Sequence, residues 1–341
     1  MNENDAGHAS QLISTFFDPA FRAEMSPFFF NYLAARITNA EALKREFNVD
    51  LYLFNYLKMK NKSILEIGCG FGLHLINFAL LGARKCTGID IAPEMIRDFE
   101  ILSNWLDLDI DIVCGDFLEY EFAEESFDVA LMRESISHIR DTKRLLFNTK
   151  RILTPRGYVC ITDSNNSLFL PKRIEDWKTM KKSEYGPIDA KTAARWNEVA
   201  ILPFRDSRAI IIQRAYPSLD ETLVSQLAKK TQGMFGEEII QAVEEYLKEG
   251  EIHKKPSFRY RNPYTGEYPE LCFNPRALIR DLKKMGFECK LVSPSQTFGS
   301  YEPSPIKRSI LKAYRGLVRI SPVTITPFIY PTFMIIGSKL S

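Results

Sequence analysis

Residues 63–72 read Ser-Ile-Leu-Glu-Ile-Gly-Cys-Gly-Phe-Gly. The first half is a short apolar run typical of a buried strand, and Leu73 to Leu81, closed by Gly82, has the spacing of an amphipathic helix. The glycines between them favour a tight turn, because glycine tolerates positive φ and lets another molecule approach the backbone closely. This order of strand, turn and helix is typical of a ligand-binding turn, although a tight connection without a ligand has the same pattern.

The alternation of strand and helix continues to residue 163. Pro93 and Glu94 mark the first turn of one helix, and Asp141 is suited to cap another. The predicted strands are 86–90, 110–114, 127–132 and 158–163, and the predicted helices are 93–105 and 142–153. Such alternation implies right-handed crossovers and a parallel sheet.

The rest of the chain has a different pattern on either side of this core. Residues 1–60 place aromatic side chains at helix-compatible spacings, and we interpret them as an N-terminal helical cap. The alternation disappears over 164–270, which we interpret as a large helical insertion that forms a substrate lid. A helical pattern over 275–285 and strand patterns over 287–292 and 332–336 then complete the sheet.

The predicted fold is therefore α/β, with a seven-stranded, mostly parallel sheet, helices on both faces, N-terminal helices and an insertion after the fifth strand. The predicted parts are 1–60, 61–163, 164–270 and 271–341.

Composition excludes several classes of protein. The 45 Lys and Arg nearly balance the 43 Asp and Glu, so no global field attracts nucleic acid, and no nucleic-acid partner is expected. The six cysteines lie far apart and do not cluster with the four histidines, which argues against a zinc site. Residues 1–20 do not resemble a signal peptide, and we expect a reduced, cytoplasmic setting.

Two carboxylates follow the next predicted strands. Asp90 ends the second strand about twenty residues after the glycines, where it can accept hydrogen bonds from both hydroxyls of a ribose. Gly115-Asp116-Phe117 follows the third strand and offers a carboxylate and an aromatic face suited to adenine. Each carboxylate alone is compatible with a surface or capping role, but together they suit one adenosine-containing ligand.

Residues 63–163 resemble the core of class I S-adenosylmethionine-dependent methyltransferases, which have a Rossmann-like fold. In that family a Glu-x-Gly-x-Gly-x-Gly loop holds the methionine part of the donor, and acidic residues after the second and third strands hold ribose and adenine. The resemblance implies S-adenosylmethionine as cofactor. The residues implied to bind it are Glu66, Gly68, Cys69, Gly70, Gly72, Asp90, Ile91, Asp116, Phe117 and Arg133. Residues 153–158 resemble the family's Leu-x-Pro-Gly-Gly turn, with Arg156 in place of the first glycine.

Candidate catalytic residues follow the fourth and fifth predicted strands, whose ends should open onto the same crevice. His138 is the best general base, although a packing role beside the cofactor suits it as well. Glu134 is suited to orient an imidazole or bind an amine, or simply to cap a helix. Asp163 is a third candidate, and with Asn165 it could ligate a divalent ion; since no further carboxylate is evident, we predict no metal.

The sequence predicts methyl transfer to oxygen or nitrogen of a small or carrier-linked metabolite. Two alternatives remain: a donor-binding scaffold without its own catalysis, and an NAD-dependent oxidoreductase, whose third glycine would lie three residues after the second instead of two. A basic amphipathic pattern over 307–319 could contact an anionic membrane. The mixture of Arg259, Arg261 and tyrosines up to Tyr268 would suit an anionic acceptor or an ordinary loop.

Overall fold

The computed structural model describes residues 3–33, 37–194, 201–253, 256, 259–268, 270–292 and 331–340. The chain divides into two compact units, one formed by Met1–Phe169 with Leu271–Ser341 and the other by Leu170–Glu270. No helix among the described residues combines the length and apolar character needed to cross a bilayer. The predicted basic helix of residues 307–319 lies outside the described residues.

The larger unit is built on one seven-stranded sheet. Its strands are β1 (Ser63–Ile67), β2 (Lys85–Asp90), β3 (Ile110–Cys114), β4 (Phe127–Arg133), β5 (Leu153–Asp163), β6 (Phe287–Val292) and β7 (Phe333–Lys339). Their order is β3-β2-β1-β4-β5-β7-β6. Strands β1 to β5 are parallel, whereas β7 runs antiparallel to both β5 and β6. The predicted Rossmann-like α/β fold with a mostly parallel sheet is confirmed.

Helices cover both faces of this sheet. They are α1 (Glu3–Phe16), α2 (Pro19–Glu24), α3 (Pro27–Leu33), α4 (Ala40–Tyr56), α5 (Leu73–Leu80), α6 (Pro93–Trp105), α7 (Thr142–Ile152) and α13 (Pro275–Lys284). Ile64 of β1 packs in one apolar cluster with residues of α1 to α6, and its neighbour Leu65 packs in a second cluster with residues of α7 and α13. All five residues of β1 are buried, as expected for a parallel strand covered on both sides.

Several predicted elements end where the sequence signals placed them. Helix α6 and strands β3 and β6 have the predicted bounds. Asp141 caps α7 as expected, because its Oδ1 accepts a hydrogen bond from the backbone N–H of Arg144 at 3.0 Å.

Strand β5 differs most from the prediction, since it begins at Leu153 and not at Tyr158. The added residues include the turn in which Arg156 replaces a glycine, and Arg156 has a φ of 63°. A left-handed conformation costs an L-residue roughly 1–2 kcal/mol, whereas glycine adopts it without a steric penalty.

We therefore expect Arg156→Gly to raise the free energy of unfolding by up to about 1 kcal/mol, because the relief of strain exceeds the greater flexibility of glycine in the unfolded chain. Urea unfolding followed by circular dichroism measures the change. The control is Arg140→Gly, at an exposed position without positive φ, which should give no gain. An unchanged or lower stability of Arg156→Gly would contradict the strain argument.

The smaller unit is helical in its described residues. Its helices are α8 (Leu170–Tyr185), α9 (Ala190–Ala194), α10 (Phe204–Ala215), α11 (Glu221–Lys230) and α12 (Glu237–Glu249). A core that includes Ile212, Leu227 and Val243 holds α10, α11 and α12 together. A buried ion pair between Glu184 and Arg208 links α8 to α10. This unit therefore has its own apolar core and its own internal charge pair.

Candidate functional site

The glycine turn lies where the strand order of the sheet reverses. Strand β1 pairs with β2 on one side and with β4 on the other, so the connections from β1 and from β4 leave in opposite directions. Open α/β sheets bind ligands in the crevice at the carboxyl ends of such strands. The turn is tied to β2, because the N–H groups of Gly68 and Cys69 both donate to the carbonyl of Ile89, at 2.8 and 3.2 Å.

Different constraints act on the three glycines of the turn. All have positive φ, at 71°, 53° and 65° for Gly68, Gly70 and Gly72. A Cβ on Gly68 would lie 2.5 Å from Cβ of Ser135, and one on Gly72 would lie 2.2 Å from the ring of Phe99. Among the described residues, the atom nearest to a Cβ on Gly70 would be Sδ of Met95, at 3.4 Å. Packing thus explains the glycines at 68 and 72, whereas the described part of the chain leaves space beside the backbone of Gly70.

Asp90 lies directly beside that space. Its Oδ2 accepts a hydrogen bond from the N–H of Gly70 at 2.8 Å, and its Oδ1 accepts one from the N–H of Ala92 at 3.0 Å. The next residue, Ile91, is a large apolar side chain that is 71% exposed. A flat apolar group bound next to the Asp90 carboxylate would cover it, which is favourable.

Asp116 and Phe117 follow β3 on the same edge of the sheet. Asp116 is exposed, and its Oδ1 accepts a hydrogen bond from the N–H of Leu118 at 2.8 Å. Phe117 is only 4% exposed and packs in the core against Phe122. Its ring therefore anchors the loop to the core, and a contact between Phe117 and the donor stays a prediction. Ile91, after β2, offers exposed apolar surface at this edge.

Glu66 and Cys69 lie beneath the turn. They are 1% and 8% exposed. Burial raises the pKa of the Cys69 thiol well above its ordinary value, and the charges of Glu66 and Asp90 raise it further. Cys69 is therefore a neutral thiol at physiological pH and not a nucleophile.

Arg133, at the end of β4, makes a buried ion pair with Asp50 of α4. Burial alone would raise the pKa of Asp50, but the charges and hydrogen bonds of His74 and Arg133 hold that pKa well below its usual range. Burial opposes the charge of Arg133 too, yet Asp50 and Glu66 raise the pKa of its guanidinium. Both partners are therefore charged. A role for Arg133 in binding the donor stays a prediction.

The three predicted catalytic residues have different environments. Glu134 and His138 are exposed, and His138 ends a short 3₁₀ helix, Ile136–His138. Oε2 of Glu134 accepts hydrogen bonds from the N–H and hydroxyl of Ser164 at 3.0 and 2.6 Å, so this carboxylate joins the ends of β4 and β5. The exposure of His138 leaves it accessible to an acceptor.

Asp163 is buried at the end of β5. Its side chain is 0% exposed, and its two oxygens accept hydrogen bonds from the N–H groups of Ser137 and Asn165, at 3.2 and 2.8 Å. These bonds hold the segment after β4 against the end of β5. A catalytic role for Asp163 stays a prediction.

Comparison with known proteins agrees with this geometry. Residues 65–161 match the family model described as "Methyltransferase domain". This region is a class I S-adenosylmethionine-dependent methyltransferase domain. Its methyl donor is S-adenosylmethionine. The open side of Gly70, the carboxylates of Asp90 and Asp116 and the uncovered face of Ile91 fit an adenosine group.

Relatives of the methyltransferase domain include enzymes of small-molecule metabolism. A ubiquinone biosynthesis O-methyltransferase of Neisseria meningitidis serogroup C is 23% identical over 197 residues, which are 52% of this chain and 79% of that protein. A protein of the same name from Parvibaculum lavamentivorans is 31% identical over 144 residues, 37% of this chain and 56% of the relative. Norajmaline N-methyltransferase of Rauvolfia serpentina is 28% identical over 104 residues, 30% of this chain and 36% of the relative.

The matched region thus spans most of the Neisseria enzyme and about half or less of the other two. Among solved structures, the S-adenosylmethionine-dependent methyltransferase of Mesorhizobium loti aligns over 85% of this chain and 98% of its own, at 12% identity and a TM-score of 0.43.

Sequence reasoning missed Asp50, which makes hydrogen bonds with His74 and Asn77 near the glycine turn. Nothing in their spacing indicates this, because Asp50 lies in a helix whose packing partner is set only by the tertiary fold. It also missed a group on α12 and just after it, formed by Glu245, Glu249 and His253, whose ligand atoms lie within 4.8 Å of one another. That group belongs to the smaller unit.

Proposed function

We propose that the chain transfers the methyl group of S-adenosylmethionine to an oxygen or nitrogen of a small or carrier-linked metabolite. The observation that carries the proposal is the placement of the Asp90 carboxylate against Gly70, the glycine of the turn beside which the described residues leave space. A carboxylate at the end of β2 is suited to the two hydroxyls of a ribose. The exposed Asp116 carboxylate would accept from the adenine amino group.

The donor supplies an activated methyl group, which moves from sulfur to the acceptor as the positive charge on sulfur is neutralised. The protein then has two tasks: to align the acceptor atom with the methyl group, and to take the proton that the acceptor loses. His138 is exposed after β4, on the edge of the sheet where Asp90 ends β2, and is our candidate for the proton acceptor. Glu134 is held by Ser164 and shapes the same edge.

The acceptor class is proposed from the relatives. Two are named for O-methylation in ubiquinone biosynthesis and one for N-methylation of norajmaline, all small organic molecules. A small or carrier-linked acceptor with a hydroxyl or amine is therefore the leading choice.

The test begins with donor binding. We expect S-adenosylhomocysteine, the product form of the donor, to bind to the purified chain in calorimetry. Asp90→Asn should weaken this binding by about 1.5–3 kcal/mol, roughly ten- to a hundredfold, since hydrogen bonds to a charged group are lost. The matched control is Asp111→Asn, a carboxylate of β3 that is 52% exposed and paired with Lys85, which should leave binding unchanged.

Turnover is tested by incubating the chain with donor labelled in the methyl group and a fractionated metabolite extract. A labelled small molecule that is absent with His138→Ala supports methyl transfer and the role of His138. Donor binding without any labelled product would instead favour the scaffold alternative. Binding of a nicotinamide dinucleotide and no binding of S-adenosylhomocysteine would overturn the proposed function.

A further inference from the structure

Asp50 connects the N-terminal helices to the elements on either side of the glycine turn. It lies in α4 and is 1% exposed. Nδ1 of His74 donates to its two oxygens at 2.9 and 3.1 Å, and Nδ2 of Asn77 donates to Oδ2 at 2.6 Å. Nη1 of Arg133 also donates to Oδ1. The carboxylate thus accepts hydrogen bonds from three side chains, which belong to two other elements.

Two of these hydrogen-bonding side chains, His74 and Arg133, lie on opposite sides of the glycine turn. His74 is in the first turn of α5, two residues after Gly72. Arg133 ends β4, two residues before Ser135, whose Cβ faces Gly68 and whose hydroxyl donates to the carbonyl of Ile67 at 2.7 Å. A shift of His74 or of Arg133 would therefore be transmitted to one end of the glycine turn.

The cluster is buried enough for the pairing to matter. The side chains of Arg133 and His74 are 7% and 14% exposed, and Asn77 is 0% exposed. Glu66, at the start of the turn, acts on the same guanidinium. Removal of the Asp50 charge would take away the ion-pair partner of the Arg133 guanidinium, and a buried charge that loses its partner moves or draws in water.

We propose that Asp50 is a positioning residue: by holding Arg133 and His74, it fixes the part of the turn that receives the amino-acid end of the donor. This inference rests on the proposed function. The two ends of the cleft then have different roles. Asp90 and Asp116 serve the adenosine end, whereas Asp50 acts on the amino-acid end without touching the ligand.

The experiment compares two ligands that differ only in the amino-acid end. S-adenosylhomocysteine has the complete amino acid, and 5′-methylthioadenosine has the same nucleoside with a methyl group in its place. We expect Asp50→Asn to weaken S-adenosylhomocysteine by about tenfold or more, as for the loss of one well-oriented polar contact, and to change 5′-methylthioadenosine by less than about twofold. A general loss of structure would weaken both ligands alike.

The matched control is Asp128→Asn. The Asp128 side chain is only 18% exposed and ties β4 to β1, because its Oδ2 accepts a hydrogen bond from the N–H of Ser63 at 2.9 Å, at the opposite end of β1 from the glycine turn. Asp128→Asn should lower stability and leave the affinity ratio of the two ligands unchanged. His74→Gln is the second variant, in case Asp50→Asn does not fold, and should shift the ratio in the same direction by a smaller factor.

Two outcomes would overturn the proposal. One is an unchanged affinity ratio in Asp50→Asn, whether or not both ligands bind more weakly. The other is tighter binding of S-adenosylhomocysteine, which would make Asp50 a competitor for Arg133. Failure of the unaltered chain to bind either ligand would instead overturn the proposed function. The two failures are therefore distinguishable.

Discussion

Glu184→Gln should lower the free energy of unfolding of the smaller unit by about 3–5 kcal/mol, the usual cost of breaking a buried ion pair from one side. The side chains of Arg208 and Glu184 are 0% and 2% exposed. Arg208 donates from Nη1 to Oε2 of Glu184 at 3.2 Å, and from Nε to the carbonyl of Ala228 at 2.8 Å. Glutamine would keep the shape and leave the guanidinium charge without a partner. Hydrogen exchange of amides in α8, α10 and α11 measures the change.

Two comparisons make this prediction specific. Lys182→Met removes an ion pair with Asp189 in the same unit, but both side chains are about half exposed, so the unfolding transition should move much less. The double variant Glu184→Leu with Arg208→Met removes both charges together. It should cost far less than Glu184→Gln, because well-packed apolar groups replace a buried pair at little net cost. Equal losses for the single and double variants would contradict the uncompensated-charge argument.

Gly72→Ala should destabilise the larger unit by roughly 2–5 kcal/mol. About 1–2 kcal/mol comes from the positive φ of 65°, which an alanine adopts only with strain. A further contribution of about 1–3 kcal/mol comes from overpacking, because the new Cβ would lie 2.2 Å from the buried ring of Phe99. Denaturant unfolding of the purified variant measures the sum.

Gly70→Ala is the matched comparison for this variant. Its φ of 53° carries a similar backbone penalty, but the nearest atom to the new Cβ is Sδ of Met95 at 3.4 Å, so no overpacking follows. We expect Gly70→Ala to be the more stable of the two and yet to lose affinity for S-adenosylhomocysteine, because its methyl group occupies the ligand's space. Unchanged affinity in Gly70→Ala would show that the donor does not lie against this glycine.

Much of the core fold could be predicted from local sequence patterns. Each strand from β1 to β4 is a short apolar run followed by a turn signal, and α6 and α7 begin at a proline and at a capping aspartate. The start of β5 was not readable, because residues 154–157 contain turn residues, and Arg156 adopts a left-handed conformation that the sheet imposes on it.

The site could be predicted only in part, because burial of its side chains also depends on the tertiary structure. The candidates Asp90 and Asp116 follow directly from their places, at the end of β2 and just after β3, and both lie at the carboxyl edge of the sheet. The burial of Phe117 and Asp163 depends on which elements pack above them, and their sequence neighbours carry no signal of it. Accessibility, which separates a reacting side chain from a supporting one, is a property of the packed molecule.

The sequence by itself determined the α/β class, the order of the elements in the core and the glycine turn with its two carboxylates, because these depend on hydrophobic period, turn chemistry and short-range spacing. Only the tertiary structure decided that Gly68 and Gly72 are required by Ser135 and Phe99, and that Asp50 pairs with Arg133, 83 residues away. The reason is physical: a long-range contact forms when independent elements bury their faces together, and no local pattern records which side chains then meet.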